Sequence, residues 1–131
     1  MKKNIIITGG LGYIGTELCK IYSGVSWNNN ITVIDNRFIS ERVNQIRNWN
    51  MEFVQGDILD KELINKYCKN ADVVHHLAGI TDVPRTKSES IDIKDNKIKT
   101  VAEEGTQNIL DATNSKCKII FPSTHVVYEG I

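Results

Sequence analysis

Three glycines in "IIITGGLGYIG" (residues 5–15), Gly9, Gly12 and Gly15, stand at three-residue spacing directly behind a β-branched apolar run. Glycines so placed suit one kind of chemistry, the holding of phosphate by main chain. Gly9 permits a tight turn, Gly12 lets backbone approach an anion with no Cβ in the way, and Gly15 lets the following helix pack closely on the sheet. The opening turn of that helix, with Tyr13 and Ile14, then offers unpaired N–H groups and the positive end of the helix dipole. A carboxylate completes the pattern: Asp35 ends the next apolar run, 20 residues beyond Gly15. A dinucleotide site places an acid about 20 residues on to accept from ribose hydroxyls. The plainer role for Asp35 is a turn-forming residue that bonds its own backbone. A P-loop is excluded, because no Gly-Lys-Ser/Thr follows the glycines.

The carboxylate also bears on which dinucleotide fits. Asp35 favours NAD and disfavours NADP, since it would repel a 2′-phosphate. Arg37, two positions on, is expected as a solvated loop residue and would soften that preference only by turning inward.

These residues need elements to hold them, and strand-like and helix-like segments alternate along the whole chain. "NIIIT" (4–8), "ITVID" (31–35), "MEFVQ" (51–55), "ADVVHHLA" (71–78) and "CKIIFPS" (117–123) read as strands. Between them, Ile14, Leu18 and Ile21 recur at helical spacing with Gly24 as a stop, and a short helix is expected over 40–48 with Ser40 as its cap. A third helix contains Leu63, Ile64 and Tyr67, and a longer one carries Ile98, Val101, Gly105, Ile109 and Ala112 on one face. Residues 82–97, polar and mixed in charge, read as a loop. Such alternation implies right-handed crossovers and a parallel sheet covered on both faces. The expected fold class is therefore α/β, a Rossmann-like doubly wound sheet of about five strands in the order 3-2-1-4-5. Ligands bind such sheets at the carboxyl ends of the strands, where strands 1 and 4 meet.

Composition bounds the rest. With 131 residues, 40% hydrophobic and 24% charged, and a formal net charge of zero, the chain reads as one ordinary globular domain. That balance offers no electrostatic reason to expect nucleic acid or an anionic membrane as partner. The apolar run near the start stops after three isoleucines, short of a signal peptide, and no stretch is long enough to span a bilayer. Cys19, Cys68 and Cys117 read as buried free thiols, which points to the cytoplasm. His75 and His76 are adjacent in a strand, so they face opposite ways and read as packing residues, and His125 reads as a loop histidine. Asp82, Arg85 and Lys87 suit either a solvated loop or contact with a diphosphate.

Taken together, "TGGLGYIG", "VIDN" (33–36), "GDILD" (56–60), "HLAG" (76–79), "EGTQNILDA" (104–112) and "FPSTHVVYEG" (121–130) resemble the extended short-chain dehydrogenase/reductase superfamily, in particular its sugar-nucleotide epimerase and dehydratase branch, which includes UDP-glucose 4-epimerases. The likeness runs nearly the whole chain. It implies that Asp35 and Asn36 contact the ribose and adenine, that Asp57 accepts from the adenine amino group, and that Ile58 lies against the ring. It further implies that Leu77, Ala78 and Gly79, with Thr81 beyond them, line the nicotinamide side. Thr124 falls at the hydroxyl position that holds the sugar oxygen during catalysis. The chain departs from the pattern at Ala102, where the branch has Asn, at Pro122, which replaces a serine, and in an extra residue within "VVYEG".

The family's proton-transfer pair, a tyrosine with a lysine four residues later, has no match here. Glu17, Ser26 and Ala71 follow Tyr13, Tyr22 and Tyr67 at that distance, and Tyr128 matches the structural tyrosine of the VYG motif. Residues 1–131 are thus expected to form an NAD(P)-binding domain lacking the substrate-binding part and inactive alone. Full-length chemistry would move a hydride between a carbon of a nucleotide-sugar substrate and the nicotinamide. The alternatives are a stand-alone dinucleotide-binding or redox-sensing module, or an assembly piece completed by another chain. Exposed core surface would favour a homodimer or other self-association.

Overall fold

A computed structural model describes residues 2–79 and 91–122, with side chains throughout except at 91–96. Thr81, Asp82, Arg85, Lys87, Thr124, His125 and Tyr128 lie outside the described residues.

Five parallel strands, β1 (Asn4–Thr8), β2 (Asn30–Asp35), β3 (Glu52–Gln55), β4 (Val73–His76) and β5 (Lys118–Ile120), form one sheet in the order β3-β2-β1-β4-β5. Four helices connect them: α1 (Tyr13–Tyr22), α2 (Ser40–Asn48), α3 (Lys61–Cys68) and α4 (Ile91–Ala112). Side chains alternate across a strand, and β1 shows the consequence. Ile5 and Ile7 pack with Cys19 of α1 and with Val43 and Ile46 of α2. Ile6, between them, packs with Ile64 and Cys68 of α3 and Ile109 of α4. Each face of the sheet thereby has its own core. The register pairs Ile7 of β1 with Val33 of β2 and with His75 of β4.

Three local expectations are corrected. In α1 only Leu18 of the apolar residues Ile14, Leu18 and Ile21 packs on the core; Ile14 is 65% and Ile21 74% exposed, while Gly15 and Cys19 are buried. The helix settles on Gly15, its smallest residue, which allows the closest approach, and Ile14 and Ile21 are left on the outer side. Ser40 is the first helical residue of α2, not its cap; Ile39 holds the cap position without a side-chain bond. Residues 91–97, expected as loop, are the opening turns of α4, so a polar run there is helical.

The turn between β1 and α1 is set by close backbone packing. Gly9 has φ of 70°, the left-handed region that only glycine enters freely. Its N–H donates to the Ile34 carbonyl at 2.7 Å. A Cβ on Gly15 would lie 2.6 Å from the Gly10 Cα and closer still to the Gly9 carbonyl oxygen, so α1 begins against the turn backbone itself.

At the far side of β1, Thr8 organises the end of β4. Its Oγ1 accepts from the N–H groups of Leu77 and Ala78, both at 3.1 Å, which uses its two lone pairs. Its own proton must then go to His76 Nδ1, 2.8 Å away. His76 therefore carries its hydrogen on Nε2 and donates to Thr106 Oγ1 of α4 at 3.1 Å. His75 points to the other face, where its Nε2 meets the Tyr22 hydroxyl of α1 at 2.7 Å. Burial lowers both histidines, His76 to about 4. It raises the Cys19 and Cys68 thiols to about 12, and raises that of Cys117, which is only half-buried, as well.

Two predictions follow from this packing. Gly15→Ala should destabilise the fold by about 2 kcal/mol, whereas Gly24→Ala, whose Cβ meets nothing nearer than the Ile21 carbonyl oxygen at 3.9 Å, should be close to neutral; urea unfolding of both variants compares them. For His76 the unfolded ring takes up its proton near 6.5 and the folded ring only near 4. The contribution is thus intact above pH 6.5 and lost as pH falls toward 4, on the order of 3 kcal/mol at full amplitude. Urea midpoints measured between pH 7 and pH 4 should accordingly fall more steeply for the natural chain than for His76→Gln.

Candidate cofactor site

The carboxyl ends of the strands open into a cleft of about 1100 Å³. Its lining includes residues at or just past the ends of β1, β2, β3 and β4, together with Pro122 beyond β5. Gly9, Gly12, Tyr13, Ile14 and Gly15 form one part of the wall. Gly12 is the cap residue of α1 and offers no side-chain bond there. The N–H groups of Tyr13, Ile14 and Gly15 have no acceptor among the described residues. A Cβ on Gly12 would stand 3.2 Å from the Gly9 carbonyl oxygen. The arrangement is a glycine-rich helix start whose unbonded N–H groups belong to residues that line the cleft, which suits an anion. Tyr13 and Ile14 are exposed because they stand at the rim of this cleft.

Asp35 lies beside that turn and is 5% exposed. Its Oδ2 accepts from the Leu11 N–H at 3.0 Å and its Oδ1 from the Arg37 N–H at 3.0 Å. Arg37 is an exposed loop residue, as expected, but it does not stand free in solvent. Its guanidinium turns inward onto the carboxylate, Nε to Oδ1 at 3.2 Å and Nη2 to Oδ2 at 3.3 Å. Arg42, which the sequence reading did not single out, also lines the cleft and donates through Nη1 to the Leu11 carbonyl. Asn36 completes this end.

Asp57 and Ile58 line the cleft from the β3–α3 segment. Asp57 is exposed, with Oδ1 accepting from the Leu59 N–H at 2.9 Å. Ile58, expected to lie against a base, is also a core residue, 5% exposed. It fits there because Gly105 of α4 has no side chain: a Cβ at that position would stand 2.8 Å from Ile58 Cγ1. Asn108 Nδ2 donates to the Ile58 carbonyl at 2.9 Å. The "GTQN" stretch of α4 is thereby explained: Gly105 admits Ile58, Thr106 receives His76 and Asn108 holds the backbone of residue 58. Leu77, Ala78 and Gly79 line the cleft on the β4 side, the first two fixed by the Thr8 hydroxyl. Lys97, Thr100 and Val101 add a wall from α4 that sequence spacing alone did not signal.

The described residues fit a dinucleotide on three counts: a glycine-rich turn with N–H groups that meet no acceptor among them, a buried carboxylate 20 residues beyond Gly15, and one continuous cleft that joins them to the end of β4.

Comparison with known proteins agrees with this geometry. Residues 6–130 match the 3-beta hydroxysteroid dehydrogenase/isomerase family. The chain is 35% identical over 98% of its length to a UDP-N-acetyl-alpha-D-glucosaminuronate decarboxylase of Bacillus cytotoxicus, of which it covers 38%. It is 33% identical over 96% of its length to a dTDP-D-glucose 4,6-dehydratase of Dictyostelium discoideum, of which it covers 30%. In structure it matches a UDP-glucose-4-epimerase of Stenotrophomonas maltophila, solved with NAD and formylated UDP-arabinopyranose, with a TM-score of 0.71 at 24% identity; 96% of this chain and 38% of that one are covered. The chain thus spans 30–38% of the length of these relatives. Matched along almost all of its residues, it belongs to the 3-beta hydroxysteroid dehydrogenase/isomerase family, and its relatives include a dTDP-D-glucose 4,6-dehydratase and, at 30% identity, a UDP-glucose 4-epimerase of Neisseria meningitidis.

Proposed function

We propose that this chain is the NAD-binding portion of a nucleotide-sugar epimerase or dehydratase, held as one cofactor domain over residues 1–131. The observation that carries the reading is the junction of Asp35 with the glycine turn: a buried carboxylate and a row of unpaired N–H groups face one cleft. In this reading Gly9, Gly12, Tyr13, Ile14 and Gly15 surround the pyrophosphate, Asp35 and Asn36 meet the ribose, and Asp57 and Ile58 the adenine. Leu77, Ala78, Gly79 and Thr81 line the nicotinamide side. Thr124 is the hydroxyl that holds the substrate oxygen. When bound, the nicotinamide supplies hydride acceptance and donation.

The relatives support this division of labour. A decarboxylase and a dehydratase share this portion at 35% and 33% identity. A segment common to enzymes with different reactions suits what they have in common, cofactor grip, better than what separates them. A cytoplasmic setting agrees with the unpaired cysteines. Self-association agrees with the bare apolar surface on α4 and after β5, where Leu110 and Phe121 are each at least half exposed.

Titration with NADH, followed by nicotinamide fluorescence, tests the reading. The chain should bind, and Asp35→Ala should weaken binding about 10-fold or more, the size expected for loss of a charged hydrogen-bond acceptor. Absence of NADH binding by the natural chain, or equal affinity in a variant shown by circular dichroism to be folded, overturns it. Gel filtration checks the self-association, which a compact monomer at micromolar concentration would refute.

A further inference from the structure

Thr8, His76 and Thr106 do not line the cleft, yet they form one line of hydrogen bonds that ends on its wall. That wall is the backbone of Leu77 and Ala78, whose N–H groups both donate to the Thr8 hydroxyl oxygen at 3.1 Å. The far end of the line is the Thr106 hydroxyl, carried by α4 and 30 positions from His76.

Counting protons fixes the direction of each bond. A hydroxyl oxygen has two lone pairs. The two amides fill both at Thr8, so its own proton goes to His76 Nδ1 and the ring hydrogen stands on Nε2. With that hydrogen on Nδ1, three donors would compete for two lone pairs at Thr8, and one amide of the wall would be released. The hydrogen stays on Nε2 only where an acceptor meets it, and Thr106 Oγ1 at 3.1 Å is that acceptor. Solvent is a poor substitute: His76 is 2% exposed, and the Phe121 ring stacks on its face with centroids 5.5 Å apart. A buried N–H left without an acceptor carries its full desolvation cost, which favours moving the hydrogen to the other nitrogen.

Resting on the dinucleotide reading above, we propose that Thr106 is a positioning residue for the nicotinamide end of the cofactor. By accepting from His76 it selects the tautomer that lets Thr8 hold both amides of the Leu77–Ala78 wall. It touches no ligand and acts through His76 and Thr8. The phosphate and ribose end rests on different bonds, those of Asp35 and the glycine turn, and does not depend on Thr106.

Two measurements on the natural chain, Thr106→Val and Thr106→Ser test this: heteronuclear NMR of the histidine ring nitrogens at neutral pH, and dissociation constants for NADH and for ADP-ribose, which lacks the nicotinamide. The His76 signals are assigned by their loss in His76→Gln. In the natural chain Nε2 of His76 should carry the hydrogen and Nδ1 none. Thr106→Val should move the hydrogen toward Nδ1 and weaken NADH about 5-fold, the size of one ordinary hydrogen bond, with ADP-ribose changed less than about 2-fold. Thr106→Ser, which keeps the hydroxyl, should restore both readings. A hydrogen on Nδ1 in the natural chain overturns the proposal, whether or not the valine variant folds. Equal weakening of NADH and ADP-ribose, or unchanged NADH affinity in a folded Thr106→Val, overturns it while leaving the cofactor reading intact. Failure of the natural chain to bind either ligand overturns both.

Discussion

The bond from the Leu11 N–H to the Asp35 carboxylate joins the glycine turn to the end of β2, two parts of one cleft wall. A carboxylate buried to this degree must be met by donors, and the loss of one would leave a desolvated charge, which costs more than a neutral bond contributes. The glycine turn supplies that donor only because Gly9 takes a positive φ and brings residues 10–12 back over β2. The backbone follows the same logic. The Gly9 N–H donates to the Ile34 carbonyl, and the Gly56 N–H to the Asp35 carbonyl at 2.9 Å. The last two residues of β2 therefore fix the turn that precedes α1 and also the segment that carries Asp57 and Ile58.

The opposite half of the cleft depends on β1 in a different way. Thr8, its last residue, holds Leu77 and Ala78 through one hydroxyl and is itself oriented by His76. Protonation of His76 on Nδ1 would set a donor against a donor, so the neutral ring is part of the architecture. Because His76 also reaches Thr106, α4 is tied to the same point, and Gly105 and Asn108 complete the attachment through Ile58. One strand end thus communicates with β4 and α4 through side chains, and with β2 through the main-chain turn.

What was legible in the sequence divides along physical lines. The meeting of the glycine turn with Asp35 could be read because it depends on backbone freedom and on spacing along the chain. The strand order could be read because alternating elements admit few topologies. Ile14 and Ile21 misled, because periodicity marks an apolar stripe without recording that Gly15, which has no side chain to signal burial, seats the helix. Residues 91–97 misled because polarity suggests solvent, which a helix with one exposed face also meets. The direction of Arg37 was beyond reach: its inward turn depends on a rotamer and on a carboxylate brought near by the fold. Thr8, His76 and Thr106 lie up to 98 positions apart and meet only through the β1–β4 pairing and the return of α4.

A consequence is that the residue best placed to hold a ligand is also one that holds the fold. The Asp35 carboxylate receives the turn from one side and its own loop from the other, and both donors are main chain. Removing that carboxylate therefore frees the Leu11 N–H and loosens the turn before any ligand is considered. Arg37 differs, since its backbone N–H stays in place whatever side chain the residue carries. Its guanidinium, 54% exposed, can thus be replaced without releasing the turn, whereas the carboxylate of residue 35 cannot.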